Sequence, residues 1–158
     1  MDQHERLMDQ IAGEERELQF ESFSNEDALR LGLMLVDKAR ARGHAIAIDI
    51  SRGGQQLFHY AFAGTSADND GWIARKNRVV ARFGRPSLWV GAKLRVEGLG
   101  LEEKYFISSL EYSPHGGAFP IILRGSGPVG IATVSGLKQE EDHALVVEAL
   151  REFLASKP

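Results

Sequence analysis

The sequence predicts an α/β domain in three layers, helix–sheet–helix, with an antiparallel sheet at the centre. Two observations carry that expectation. Segments of period-two apolar alternation group into two hairpins and one single strand, and segments of helical period lie before, between and after them. A parallel, doubly wound sheet would instead need strands alternating regularly with crossover helices. At 158 residues the chain has the length of one domain able to bury a core without disulfides.

Residues 1–20 read as an N-terminal helix or arm and 21–158 as a single domain. In the arm, Leu7, Ile11 and Leu18 recur at helical spacing among charged residues. A stronger helix is expected at about 25–42, where Ser24 and Asp27 have the spacing of an N-terminal cap, Leu29, Leu35, Val36 and Ala39 form a stripe, and Gly43 ends it. Period two then takes over. Ile46, Ile48 and Ile50 share one face, Phe58, Tyr60 and Phe62 another, and Gly53-Gly54 between them suits a tight turn. A helix over 64–84 follows, with a weaker one at 86–97. Tyr105–Leu110 reads as a short strand. Phe119–Arg124 and Pro128–Ser135 form the second hairpin, and an amphipathic helix closes the chain from Gln139 to Ala155.

Composition narrows the function. A formal charge of −3 gives no global reason to bind nucleic acid or an anionic membrane. Zero cysteines exclude disulfides, thiolate catalysis and Cys-ligated metals. The N-terminus has no apolar signal-type core, and no run has the roughly 18 apolar residues of a membrane span. A cytoplasmic protein is the expectation. G-S-G-P-V-G at 125–130 matches the dinucleotide fingerprint in letters only, since it lies between two strands and Pro128 removes a donor. The five histidines show no metal-ligand spacing.

Three constellations remain. In G-T-S-A-D-N-D-G-W-I-A-R-K, residues 64–76, Thr65 or Ser66 can cap the helix and Asp68, Asn69 and Asp70 complement its dipole. Lys76 falls inside the apolar arc of Trp72, Val79 and Phe83. Either its stem packs there while the ammonium pairs or reaches water, or it points into a pocket for an anion. Arg75, Arg78, Arg82 and Arg85 make a separate stripe, a solvated face or a subunit interface that also leaves room for an anionic partner. In S-P-H-G-G-A-F-P-I, residues 113–121, Gly116-Gly117 permits close backbone approach and His115 is a candidate ligand or general acid/base. In V-S-G-L-K-Q-E-E-D-H, residues 134–143, a strand runs into a helix whose first turn is already acidic. His143 shares a face with Val147, Leu150 and Leu154 and reads as a core histidine bonded to backbone; Asp142 lies on another face and orients it poorly.

G-T-S-A-D-N-D-x-W-I-x-R-K, H-G-G-x-F-P-I and V-G-x-x-x-V-S-G-L-x-Q-x-x-D-H together resemble the UPF0303 family. That family is grouped with the haem-binding and haem-degrading HbpS-like domains. The resemblance spans about residues 20–155. It implies a profilin-like sandwich around a five-stranded antiparallel sheet, a homo-oligomer, and haem as the ligand of other branches of the group. The carried-over motif residues are Asp68, Asn69, Trp72, Arg75, Lys76, His115, Gly116, Gly117, Asp142 and His143, with His115, Lys76 and His143 the candidates for chemistry. Three functions follow, ranked in this order. The first is a small-molecule-binding protein whose leading ligand, by resemblance, is haem or a related tetrapyrrole, held by a histidine as axial ligand and by Lys or Arg at its propionates, with a small anionic ligand as the other partner. The second is an oligomeric interaction module. The third is an enzyme acting on a small anionic substrate with His115 as acid/base. No metal site is expected.

Overall fold

A computed structural model describes residues 1–157. Its elements are α1 (Gln3–Glu17), β1 (Gln19–Phe20), α2 (Asn25–Arg42), β2 (Ala47–Arg52), β3 (Gln55–Ala61), α3 (Ala67–Phe83), α4 (Ser87–Glu97), α5 (Leu101–Tyr105), β4 (Ala118–Leu123), β5 (Gly127–Ser135) and α6 (Gln139–Ser156). The sheet runs β1-β4-β5-β2-β3. Both predicted hairpins form, and the antiparallel pairing of β2 with β5 joins them into one sheet. The expectation of a wholly antiparallel sheet needs one correction, because β1 lies parallel to β4. This pair is only two residues long, too short to leave a sequence pattern.

Strand pleating sorts the two faces. Ile48 and Ile50 of β2, Phe119 and Ile121 of β4, and Ala132 and Val134 of β5 turn to one side, where α2 and α6 cover them in the main core. Asp49 and Thr133 are paired across β2 and β5 on the opposite side, facing α3. A smaller core there gathers Val79, Val90, Leu94 and Leu101 with Phe83 and Trp89. The layers are thus α2/α6, sheet, and α3/α4.

Local signals explain most boundaries. Ser24 and Asp27 form a reciprocal capping box, their bonds 3.1 and 2.9 Å long, and Gly43 closes α2 in the left-handed conformation. Gly53 and Gly54 both take positive φ, 58° and 82°, as the two-residue hairpin turn demands. The α2 stripe is shifted from expectation: Leu29 is 42% exposed, while Ala28, Leu31, Leu35, Val36 and Ala39 are buried. α1 packs along α4, buries Ile11 completely, and pairs with α6 through Glu14–His143 and Glu17–Arg151.

The predicted strand at Tyr105–Leu110 does not form. Tyr105 ends α5, Phe106 stops it with φ 59°, and Phe106 and Leu110 stand 90% and 85% exposed. The apolar residues of this segment imitate a strand pattern, yet its backbone groups are taken locally: the amides of Glu111 and Tyr112 donate to Ser108 O, and that of Ser109 to Glu102 Oε1.

Candidate functional site

Lys76 is 4% exposed, and its ammonium group has found a partner rather than water. Its Nζ donates to Asp142 Oδ2 and to the carbonyl oxygen of Val134, each at 3.2 Å. Lys76 arrives from the middle of α3, and Asp142 from the first turns of α6 on the far side of the strand layer. The same carboxylate accepts the amides of Leu137 at 2.9 Å and Gly136 at 3.4 Å, where β5 runs into α6. The free amides at this helix start are therefore occupied by the protein's own carboxylate.

Burial dominates the electrostatics of the pair. It pulls the Lys76 amine below its ordinary range, partly opposed by the Asp142 charge. It pushes the Asp142 carboxyl up to about 6, against the pull of Lys76 and of the two amides. Both partners are thus moved toward their neutral forms. An acid whose folded value lies above its unfolded one stabilises the fold most at low pH, and that contribution is lost as pH rises through about 6. Carboxyl-detected NMR should show Asp142 titrating near pH 6; a midpoint at the ordinary 3.8 would contradict this account.

Above the pair opens a cavity of about 320 Å³, lined by Asn69, Trp72, Lys76, His115, Gln139 and Asp142 among others. Asn69, Trp72 and Lys76 project from one side of α3 by their three- and four-residue spacing. Ser66 caps this helix, and Asn69 returns the bond to Ser66 N at 3.0 Å while its amide reaches Ser135 Oγ at 3.4 Å. Trp72, 38% exposed, forms a wall. The Arg75 guanidinium lies 4.6 Å over its ring, and the His115 ring meets it edge-on at 5.9 Å.

His115 is held from behind. Ser113 Oγ shares a 2.8 Å hydrogen bond with Nδ1, and the amide of buried Ser113 is anchored on Arg75 O at 3.1 Å. Nε2 makes no hydrogen bond to another described residue. Burial, then the charges of Arg95 and Lys76, lower the imidazole below its ordinary range, which leaves it neutral at pH 7. Gly116 donates to Gln139 Oε1 at 3.0 Å, and a Cβ on it would stand 2.2 Å from Gln139 O. Gly117 takes φ +136°, and a Cβ on it would stand 2.4 Å from Val134 O and 2.9 Å from Lys76 Nζ.

Of the ten motif residues, the structure brings Asn69, Trp72, Lys76, His115 and Asp142 to one cavity, with Arg75, Gly116 and Gly117 supporting it. Two lie elsewhere. Asp68 is exposed at the start of α3, outside the cavity lining. His143 is buried against Phe119, and its Nε2 bonds Glu14 of α1 at 2.8 Å, so its partner is a side chain and not the expected backbone group. Asp142, read as a poor partner for the adjacent histidine, instead serves Lys76. Sequence reasoning missed Gln139 and Ser135, lining residues whose only signal was their place at a strand–helix junction. The arginine stripe is largely engaged internally, Arg85 on Glu15 and Arg78 on Glu111 O.

A larger cleft, about 1060 Å³, lies between α3 and the β5–β2–β3 part of the sheet. Its polar groups already satisfy one another: Asp49 accepts from Gln56 and Asn77, and His59 bonds Asp70 at 2.7 Å. The smaller cavity, where lysine, carboxylate and imidazole converge, has the stronger claim to chemistry. Among the described residues no three carboxylate or imidazole groups cluster as a metal site. Among the described residues no helix is long and apolar enough to cross a membrane.

Residues 23–151 match the family described as haem degrading protein HbpS-like. The chain belongs to the HbpS-like family. Within this HbpS-like family its relatives are UPF0303 proteins. One from Streptomyces coelicolor is 51% identical over 92% of each chain, and one from Psychromonas ingrahamii is 40% identical over 96% of each. Among solved structures, the Ybr137w protein superposes with a TM-score of 0.88 at 36% identity, covering 98% of this chain and 95% of that one. HbpS itself (TM-score 0.66, 17% identity, 86% and 92% coverage) and a PduOC:heme complex (0.67, 15%, 84% and 94%) share the fold.

Proposed function

We propose that this HbpS-like protein binds a small anionic molecule in the cavity between Trp72, His115 and the Lys76–Asp142 pair. The observation that carries this is the convergence of a neutral, oriented imidazole and a buried ammonium group on one small pocket. At about 320 Å³ the cavity is at the lower end of small-molecule sites, which run from roughly 300 to 1,000 Å³, and suits a metabolite-sized ligand. Trp72 offers a flat apolar wall, His115 Nε2 a hydrogen bond, and Lys76 the one N–H direction that neither Asp142 nor Val134 O takes.

Haem is the second reading, favoured by one observation: Ser113 fixes His115 Nδ1 and leaves Nε2 available, the arrangement of an axial ligand. Names among the relatives point the same way. The volume opposes it, since this cavity does not enclose a macrocycle, and Lys76 is committed to Asp142 instead of a propionate. A small anion therefore ranks first. The protein is further read as cytoplasmic and as a homo-oligomer, the latter supported by the outer edge of β3, which pairs with no other strand among the described residues.

Titration with lactate, followed through the indole N–H of Trp72 by NMR, tests the first reading. A saturable shift that weakens in His115→Ala and Lys76→Met supports it; no shift, or one unchanged in both variants, overturns it. Titration with hemin followed by visible absorption tests the second, which requires a saturable band lost in His115→Ala.

A further inference from the structure

We propose that Lys76 forms a reversible imine with a small carbonyl compound, a 2-oxo acid or aldehyde, and that Asp142 accepts and returns its proton. This rests on the pocket reading above and names the chemistry of its ligand.

Three observations support it. The first is position: Lys76 is among the residues that line the cavity, although its side chain is buried. The second is the proton route. Nζ and Asp142 Oδ2 already share a 3.2 Å hydrogen bond, and Val134 O holds a second ammonium proton at 3.2 Å, leaving the third N–H direction without a bond to another described residue. The third is the residue beside the nitrogen, where a side chain would crowd both Val134 O, at 2.4 Å, and the ammonium group. A Cβ on residue 117 would stand 2.9 Å from Nζ, and a glycine at φ +136° occupies that position. Burial, which lowers the Lys76 amine, adds to the fraction present as nucleophile.

The step balances without an outside reagent. The Lys76 ammonium transfers a proton to the Asp142 carboxylate, and the free amine attacks the carbonyl carbon. The resulting carbinolamine loses its hydroxyl as water, using the proton returned by Asp142. The product is a protonated iminium on Lys76 beside an ionised Asp142. The charge balance of the resting pair is restored, so the pair itself carries no net charge at any stage, and a 2-oxo acid adds only its own carboxylate.

The test is trapping. Wild-type protein is incubated with pyruvate and sodium borohydride, digested, and mapped by mass spectrometry. The expected product is a carboxyethyl adduct predominantly on Lys76, formed about a hundredfold more slowly in Asp142→Asn, the scale of a lost proton-transfer partner. Adduct spread evenly over the lysines, or none on Lys76 while lactate still shifts the Trp72 indole signal, overturns the imine and leaves the pocket reading intact. No adduct and no lactate response overturn both. Lys76 labelling at an unchanged rate in folded Asp142→Asn overturns the role given to Asp142. The wild-type mapping stands independently of how well any variant folds.

Discussion

Asp142→Ala is expected to destabilise the fold by about 3–5 kcal/mol, the scale at which removing one partner strands a buried charge. Lys76 is 4% exposed and Asp142 2%, so neither can turn to water when the other is lost. The carboxylate also holds the amides of Gly136 and Leu137, which would be left without acceptors at the start of α6. The double variant Lys76→Met, Asp142→Leu should recover much of this loss, because it removes the charge along with its partner. It should not recover all of it, since the two amides stay unpaired. Chemical denaturation of wild type, both single variants and the double variant gives the coupling directly. A single Asp142→Ala cost under about 1 kcal/mol would show that solvent reaches the pair, and the electrostatic account of the site would fall.

The second large effect is expected at Gly117. Alanine there must adopt φ +136° and place its Cβ 2.4 Å from Val134 O and 2.9 Å from Lys76 Nζ. Backbone strain and overpacking add, and the expected cost is about 3 kcal/mol or more. Gly53→Ala separates the two causes. It also has positive φ, 58°, but a methyl group there would meet nothing within 4 Å, so strain alone applies and about 1 kcal/mol is expected. Equal costs at the two positions, read by thermal or denaturant unfolding, would mean that the close approach at Gly117 relaxes without penalty. A fold-retaining Gly117→Ala should also lose the lactate response, because its methyl group intrudes beside the ammonium.

The helices and hairpins were legible because their signals are local. Ser24 with Asp27 caps α2 through residues three apart, and Gly53-Gly54 turns β2 into β3 with no help from elsewhere. β1 was illegible for the opposite reason: two residues become a strand only because β4 offers them an edge. Tyr105–Leu110 erred in the other direction, its apolar residues resembling a strand where the chain instead ends a helix and enters a turn. Within the site, three short motifs could be singled out in the chain, but not how they meet. His143 and Asp142 are adjacent in sequence and diverge in space, one to Glu14 of α1 and the other to Lys76 of α3.

The chain read as a string was enough for the family, the order of most elements, and the anomaly of a lysine inside an apolar helix stripe, since each depends on neighbouring residues or on short motifs. It took the folded arrangement to establish that Lys76 is neutralised by a carboxylate 66 positions away and that His115 opens onto the same cavity. An ion pair between a helix and a distant helix start leaves no periodic trace. Its partners are selected by burial, where an unpaired charge is costly enough that the fold must supply one.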